Sequence, residues 1–302
     1  MIITPQSIQN LQVTFSAAFR EGFGGTQPMW NQVAMRVPST GRSNTYGWLG
    51  QFPKFREWVG DRVLKDLKAH AYTLVNKSYE STVVVDRDEI ADDLTGTYGP
   101  IFREMGAAAA IFPDELVFGA VNAANSTLCY DGQFFFDTDH PVYPNVDGTG
   151  TAVSVANFVA GTNPTWYLLD TTRSIKPFLL QERKPADFQA MDRADDESVF
   201  TRKAFRYGVD GRWNAGYGLW QLAYASRAPL NAANLDAAIT AMQGFNADGG
   251  RPMGVNPDVI LFPTTLRAQV ESLIDRELIN GGEGNTHYKR LRKVMSHYLA
   301  TT

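Results

Sequence analysis

Residues 81–124 constrain the fold more than any other stretch, because the β-branched run STVVV gives way there to the longest helical repeat in the first half of the chain. From Pro100 the larger apolar side chains fall at Ile101, Met105, Phe112, Leu116 and Ala120, with Ala108 and Ala109 between them. That spacing makes one face of a helix. Pro100 suits the first helical position, where a missing N–H costs nothing, and Thr97 is placed to cap it. A helix of about 23 residues is expected from Pro100 on, a rod of roughly 35 Å. Its alanines (107–110) combine helix propensity with little bulk, so another backbone can approach closely. Pro113 interrupts the pattern: an interior proline removes a hydrogen bond and costs about 3 kcal/mol, so a kink or break is expected near Ile111.

The chain of 302 residues is long enough to bury a substantial core and to divide into lobes. With 44% apolar and 20% charged residues it lies outside the regime of disorder. A net charge of −4 gives no overall basic footprint, which argues against a dedicated nucleic-acid reader. Cys129 is the only cysteine, so no internal disulfide framework exists and a reducing compartment is expected. No run of 18 apolar residues marks a membrane span, and the opening MIITPQSIQNLQ lacks the basic start and apolar core of a signal peptide.

In chain order, Thr4-Pro5 reads as a cap and first turn, followed by Ile8, Leu11, Phe15, Ala18 and Phe19 at helical spacing. This helix ends near Gly22 to Gly25, and its phenylalanines (Phe15, Phe19, Phe23) dock either on their own domain or on a neighbouring molecule. Residues 71–76 and 81–85 read as strands joined by a turn at 76–80. Before them, residues 52–68 mix Phe55, Trp58, Val63 and Leu67 with Arg56, Arg62, Lys65 and Lys68. Such a segment is either an interface or a solvated amphipathic turn. Strands are expected at 166–170, at 175–181 with Pro177 near its start, and among the alternating aromatics Phe200 to Leu222. Asn231 caps a helix carrying Leu235, Ala238, Ile239 and Met242, and a buried strand at 259–262 precedes a helix over about 265–278. The basic ending YKRLRKVMSHYL reads as a last packed strand or helix.

Catalytic-looking residues gather in one segment, CYDGQFFFDTDHP, which holds Cys129, Asp131, Asp137, Asp139 and His140. Metal-ligand spacing is incomplete, and Asp-Gly and His-Pro steps are ordinary turn chemistry. A free cysteine is usually a small buried apolar residue, so Cys129 with His140 does not by itself make a nucleophile and base. Gly216 and Gly218 flank Tyr217 with no lysine or helix start to complete a phosphate loop. Arg202, Lys203, Arg206 and Arg212 lie among aromatics beside Asp192, Asp195, Asp196 and Glu197, which reads as a solvated strand face.

Six segments in order carry a resemblance: IITPQSIQNL; NTYGWLGQFPKFREWVGDR (44–62); RDEIADDLTGTYGPIFREMG (87–106); CYDGQFFFDTDHPVYPNVDGTG (129–150); WYLLDTTRSIKPFLLQERK (166–184); and ADGGRPMGVNP (247–257). Across essentially its whole length the chain resembles the major head subunits, or major capsid proteins, of Mu-like tailed phages and prophages. That resemblance implies an α+β fold of the Hong Kong ninety-seven type shared by tailed-phage capsids. It implies an N-terminal arm (1–43), an extended-loop region (44–80), and a peripheral lobe (81–150 and 166–225) with a spine helix at about 98–124. Residues 151–165 and 226–302 would form the axial lobe.

The implied function is structural: a non-enzymatic subunit, without cofactor or metal, that self-assembles in hexamers and pentamers into an icosahedral shell around double-stranded phage DNA. Portal, scaffold and minor or decoration proteins would be its other partners, with no membrane. It would be assembled in the host cytoplasm and located in the virion. Phe15, Phe19, Phe23, Trp58, Arg62, Lys65 and Lys68 are the expected inter-subunit contacts, because aromatics and arginine dominate interface energetics. The alternative is a metal-dependent or cysteine hydrolase using the Cys129–His140 segment, and a third reading is a nucleic-acid-binding module.

Overall fold

The computed structural model describes residues 5–47, 49, 72–86, 88–89, 97–146, 148–193, 196–279 and 281–301. Helix α1 (Pro5–Gly25) comes first and ends where the glycines predict. Strands β1 (Ala34–Pro38) and β2 (Ser43–Tyr46) follow, then β3 (Tyr72–Val75) and β4 (Lys77–Asp86). No turn spans 76–80. Instead β3 pairs back with β2, while β4 joins a different sheet.

The spine helix α2 (Gly99–Asn122) has the expected length. Its N-cap is Tyr98, with no side-chain cap bond, rather than Thr97. It runs through Pro113 without a break, a correction to the sequence reading. Buried apolar contacts on both sides, Phe102 and Met105 before the proline and Val117, Phe118 and Val121 after it, outweigh the local cost. The buried face is also rotated: it consists of Phe102, Met105, Gly106, Ala110, Asp114, Val117, Phe118 and Val121, with Ile101 turned to solvent. A hydropathy pattern places neither a glycine nor a carboxylate on such a face.

Beyond α2 lie the hairpin β5 (His140–Val142) with β6 (Val153–Val155), then β7 (Phe158–Val159) and β8 (Trp166–Leu169). Strand β9 (Phe178–Met191) is far longer than its apolar start suggests. It is followed by α3 (Glu197–Arg202), β10 (Ala204–Tyr217) and β11 (Ala223–Ser226). Helix α4 (Ala232–Gln243) is capped as expected, Asn231 accepting from the Asn234 amide at 2.9 Å. The remaining elements are β12 (Asn246–Ala247), β13 (Arg251–Pro252), β14 (Val259–Pro263), α5 (Arg267–Ile274), β15 (Leu278–Ile279), β16 (Glu283–Gly284) and β17 (Arg292–Ser296).

Two sheets organise these elements. One has the order β1-β9-β10-β4 and the other β17-β14-β8-β11-β7. Strands β8 and β11 are antiparallel neighbours, so the long β9–β10 hairpin is inserted between two adjacent strands of the second sheet. The main core, with Trp166, Trp220, Phe118, Phe135, Phe136 and Phe178 fully buried, is continuous between the sheets. A separate small core lies where α1 and the first half of α2 cover the far end of β9 and β10.

Candidate functional site

The structure brings together part of the segment that held the catalytic-looking residues. After α2 the chain turns through Gly132, and the Cys129 amide donates to the Gln133 carbonyl at 2.8 Å. This fold-back aims the Asp131 carboxylate inward. Its Oδ1 accepts from the Cys129 thiol at 3.0 Å and from the Gln133 amide at 3.1 Å, and its Oδ2 lies 2.7 Å from His140 Nδ1. The other ring nitrogen of His140 is 3.3 Å from Asn157 Oδ1. The imidazole stacks on Trp220, centroids 4.1 Å apart and planes 10° from parallel. Asn157 completes the clasp: it accepts from the Asp137 amide at 2.9 Å and donates to the Phe135 carbonyl at 2.8 Å.

Electrostatics make this a structural clasp rather than a reactive centre. Burial, then the adjacent Asp131 carboxylate, push the Cys129 thiol far above its ordinary range, so it remains a protonated donor and a poor nucleophile. For Asp131, burial opposes ionisation, but the bonds from His140 and Cys129 outweigh it and hold the carboxyl below its ordinary value. Cys129, Asp131 and His140 offer ligand atoms within 4.8 Å of one another. Each of those atoms is already committed to a hydrogen bond inside the cluster. Asp137 turns away to cap the amides of Phe134 and Thr138, and Asp139 is exposed. Of the residues that segment offers, Cys129 and His140 meet on Asp131, while Asp137 and Asp139 do not join them.

The expected contact residues divide. Phe15 and Phe19 are buried within their own chain, a correction to their expected role between subunits. Phe15 stacks on Phe102 at 4.2 Å and meets Tyr207 edge-on at 5.1 Å, while Phe19 lies 5.1 Å from Phe188. Only Phe23, 41% exposed, remains available on that helix. Trp58, Arg62, Lys65 and Lys68 lie outside the described residues.

What sequence reasoning missed is the set of buried polar anchors. Gln181, fully buried at the start of β9, accepts from the Tyr46 hydroxyl at 2.7 Å and donates to Asn76 at 2.8 Å and to the Leu74 carbonyl at 3.1 Å. Asn76 in turn donates to Ser39 and the Gly41 carbonyl. This network fixes the root of the β2–β3 hairpin, whose register ends at Tyr46 opposite Tyr72. Asp114, also buried, accepts the amides of Met29 (2.9 Å) and Trp30 (2.6 Å), which ties the chain leaving α1 to the middle of the spine. Burial raises its carboxyl, and the two amide bonds pull against that shift.

Comparison with known proteins bears on what such an arrangement serves. Residues 8–299 match the model of the family described as Mu-like prophage major head subunit gpT. The major capsid protein of Escherichia phage Mu is 43% identical over 305 residues, which cover 99% of this chain and 100% of that protein. Among solved structures, the procapsid of bacteriophage JBD30 superposes with a TM-score of 0.87 at 48% identity, covering 98% of this chain and 100% of its counterpart. The JBD30 capsid decorated with minor capsid protein trimers gives a TM-score of 0.75 at 36% identity over 90% of this chain and 91% of that one.

Proposed function

Since the chain belongs to the family of Mu-like major head subunits, we propose that its copies form the icosahedral head shell of a Mu-like tailed phage or prophage, arranged in hexamers and pentamers around double-stranded DNA. The match over nearly the whole of this chain and of its relatives carries this reading. The family is one of structural shell proteins, so the work is contact chemistry summed over many copies rather than catalysis. The Cys129–Asp131–His140 cluster serves the fold, and the hydrolase alternative finds no support in it.

Within that function, the four-stranded sheet with α2 is assigned to the peripheral lobe and the five-stranded sheet with α4 and α5 to the axial lobe. In this assignment β8 and β11 go with the axial lobe, a reading supported by their pairing with each other and of β8 with β14 in the five-stranded sheet. The arm is assigned to residues 1–43 and the extended loop to 44–80, with the buried polar network supporting the loop at its root. Phe23, Trp58, Arg62, Lys65 and Lys68 are the proposed contacts between copies. The decorated JBD30 capsid supports a minor capsid protein as a further partner, beside portal and scaffold. A net charge of −4 suits a wall that touches packaged DNA loosely and without sequence readout. Sedimentation of the purified full-length chain tests the reading: megadalton closed particles are expected, and a chain that remains a single subunit under all assembly conditions contradicts it.

A further inference from the structure

His140 is fully buried, and both of its ring nitrogens face oxygen atoms. The partners decide which nitrogen carries a proton. Asn157 cannot be turned about: its Nδ2 donates to the Phe135 carbonyl at 2.8 Å, and its Oδ1 accepts from the Asp137 amide at 2.9 Å. Reversing that side-chain amide would set oxygen against oxygen and N–H against N–H. The atom 3.3 Å from His140 Nε2 is therefore an acceptor, and Nε2 is the donor. On the other side, Asp131 Oδ1 already accepts from the Cys129 thiol and the Gln133 amide, and the bonds it receives hold the carboxyl in its ionised form. A carboxylate only accepts, so Nδ1, 2.7 Å from Oδ2, donates as well. A neutral imidazole has one N–H and satisfies one of these oxygens; the imidazolium satisfies both.

The surroundings suit a cation. The ring lies 4.1 Å from Trp220 and nearly parallel to it, over the face of the indole. The other titratable groups near the pair are Cys129 and Tyr130 on the turn before it, Asp137 and Asp139 on the approach to β5, and Asp248, which faces Tyr130 from the β12–β13 hairpin. None of these is basic, and Gln221 and Asn157, from the elements packed on the other side, bring no charge. The pair also sits at a joint. His140 opens β5, Trp220 stands in the single turn between β10 and β11, and the Asn157 carbonyl accepts the Ala225 amide of β11 at 2.9 Å. These groups meet where the β9–β10 hairpin of one sheet returns to the other. Loss of either ring proton leaves a buried oxygen facing a lone pair, which destabilises the joint.

We propose that Asp131 and His140 form a proton-held latch: a buried imidazolium–carboxylate pair that fastens the segment after α2 to the junction of the two sheets, and releases it when the ring gives up its second proton. Nitrogen NMR of the unassembled full-length chain, labelled in histidine, reads the charge directly. At neutral pH both ring nitrogens of His140 should show the protonated signal, and a bare nitrogen on either side overturns the proposal. Raising the pH then tests the release. Labelling of Cys129 by a disulfide reagent, taken relative to the denatured chain at the same pH, should rise at least about tenfold over the range in which the imidazolium signal disappears. A thiol that stays protected after that signal has gone overturns the latch. His140→Gln keeps a donor for Asp131 but carries no charge, so its relative labelling should be fast already at neutral pH and show no step. A step that survives in this variant contradicts the assignment to His140. If the variant does not fold, the two measurements on the unaltered chain decide.

Discussion

Gly106 on the spine helix lies directly against the backbone of Phe19 on α1. A Cβ on Gly106 would overlap the Phe19 carbonyl oxygen and stand 2.9 Å from the Phe23 amide nitrogen. Gly22 meets the Arg103 carbonyl in the same way from the other side. Two glycines thus let the helices cross backbone to backbone, and the crossing drives Phe15 and Phe19 into the small second core.

Gly106→Ala should therefore force the helices apart and cost about 1–3 kcal/mol, the usual range for overpacking. Gly119→Ala, on the same helix with nothing within 4 Å of the added methyl, should stabilise by up to about 1 kcal/mol through helix propensity alone. Denaturant midpoints of the two variants measure the contrast, and equal shifts in one direction would remove the steric account.

Deleting residues 2–23 removes most of α1. It uncovers Phe102 and Tyr207, both fully buried, so the truncated chain should bind a hydrophobic dye and unfold at lower denaturant than the full chain. An unchanged midpoint would show that α1 contributes nothing to the second core.

Asp131 gives a pH dependence of definite sign. Its folded carboxyl lies below its ordinary value, so its ionisation stabilises the fold above the unfolded value of about 4, and that contribution is lost as pH falls through the folded value. Asp131→Asn should cost about 1–3 kcal/mol near neutral pH, and the gap to the unaltered chain should close in acid. Unfolding measured over a pH series decides this; a gap that widens on acidification would reverse the sign.

The Cys129 thiol should resist labelling by a disulfide reagent in the folded chain and react fully once denaturant is added. It is buried and hydrogen-bonded to a carboxylate that keeps it protonated. Rapid labelling of folded protein would contradict the clasp.

Legibility in the sequence followed how local each signal was. Helix α1, the extent of α2, the Asn231 cap and β14 were readable because period, proline and cap lie within a few residues of what they control. The buried face of α2 was not, since Gly106 is selected by the α1 backbone and Asp114 by amides 84 and 85 residues away. Strand β9 outruns its apolar start because beyond Gln181 its side chains alternate half-buried with exposed, and Pro185 lies among them. Gln181 and Asn157 are each fully buried, and nothing local marks either as an anchor, because the groups they bond lie far off in sequence. The Cys129–His140 pair was correctly set aside as chemistry, though the residue that explains it, Trp220, lies 80 positions on. The resemblance places the chain among shell subunits; general interface energetics points to Phe15 and Phe19 as contacts between copies, whereas both are buried within the subunit.

The central claim is that this chain closes into a shell, and electron cryomicroscopy of particles assembled from the purified full-length chain tests it most directly. Closed icosahedral particles are expected, with subunit density that fits both sheets and the unbroken helix α2 through Pro113. Open aggregates without symmetry, or closed particles whose subunit density follows a different fold, would contradict it.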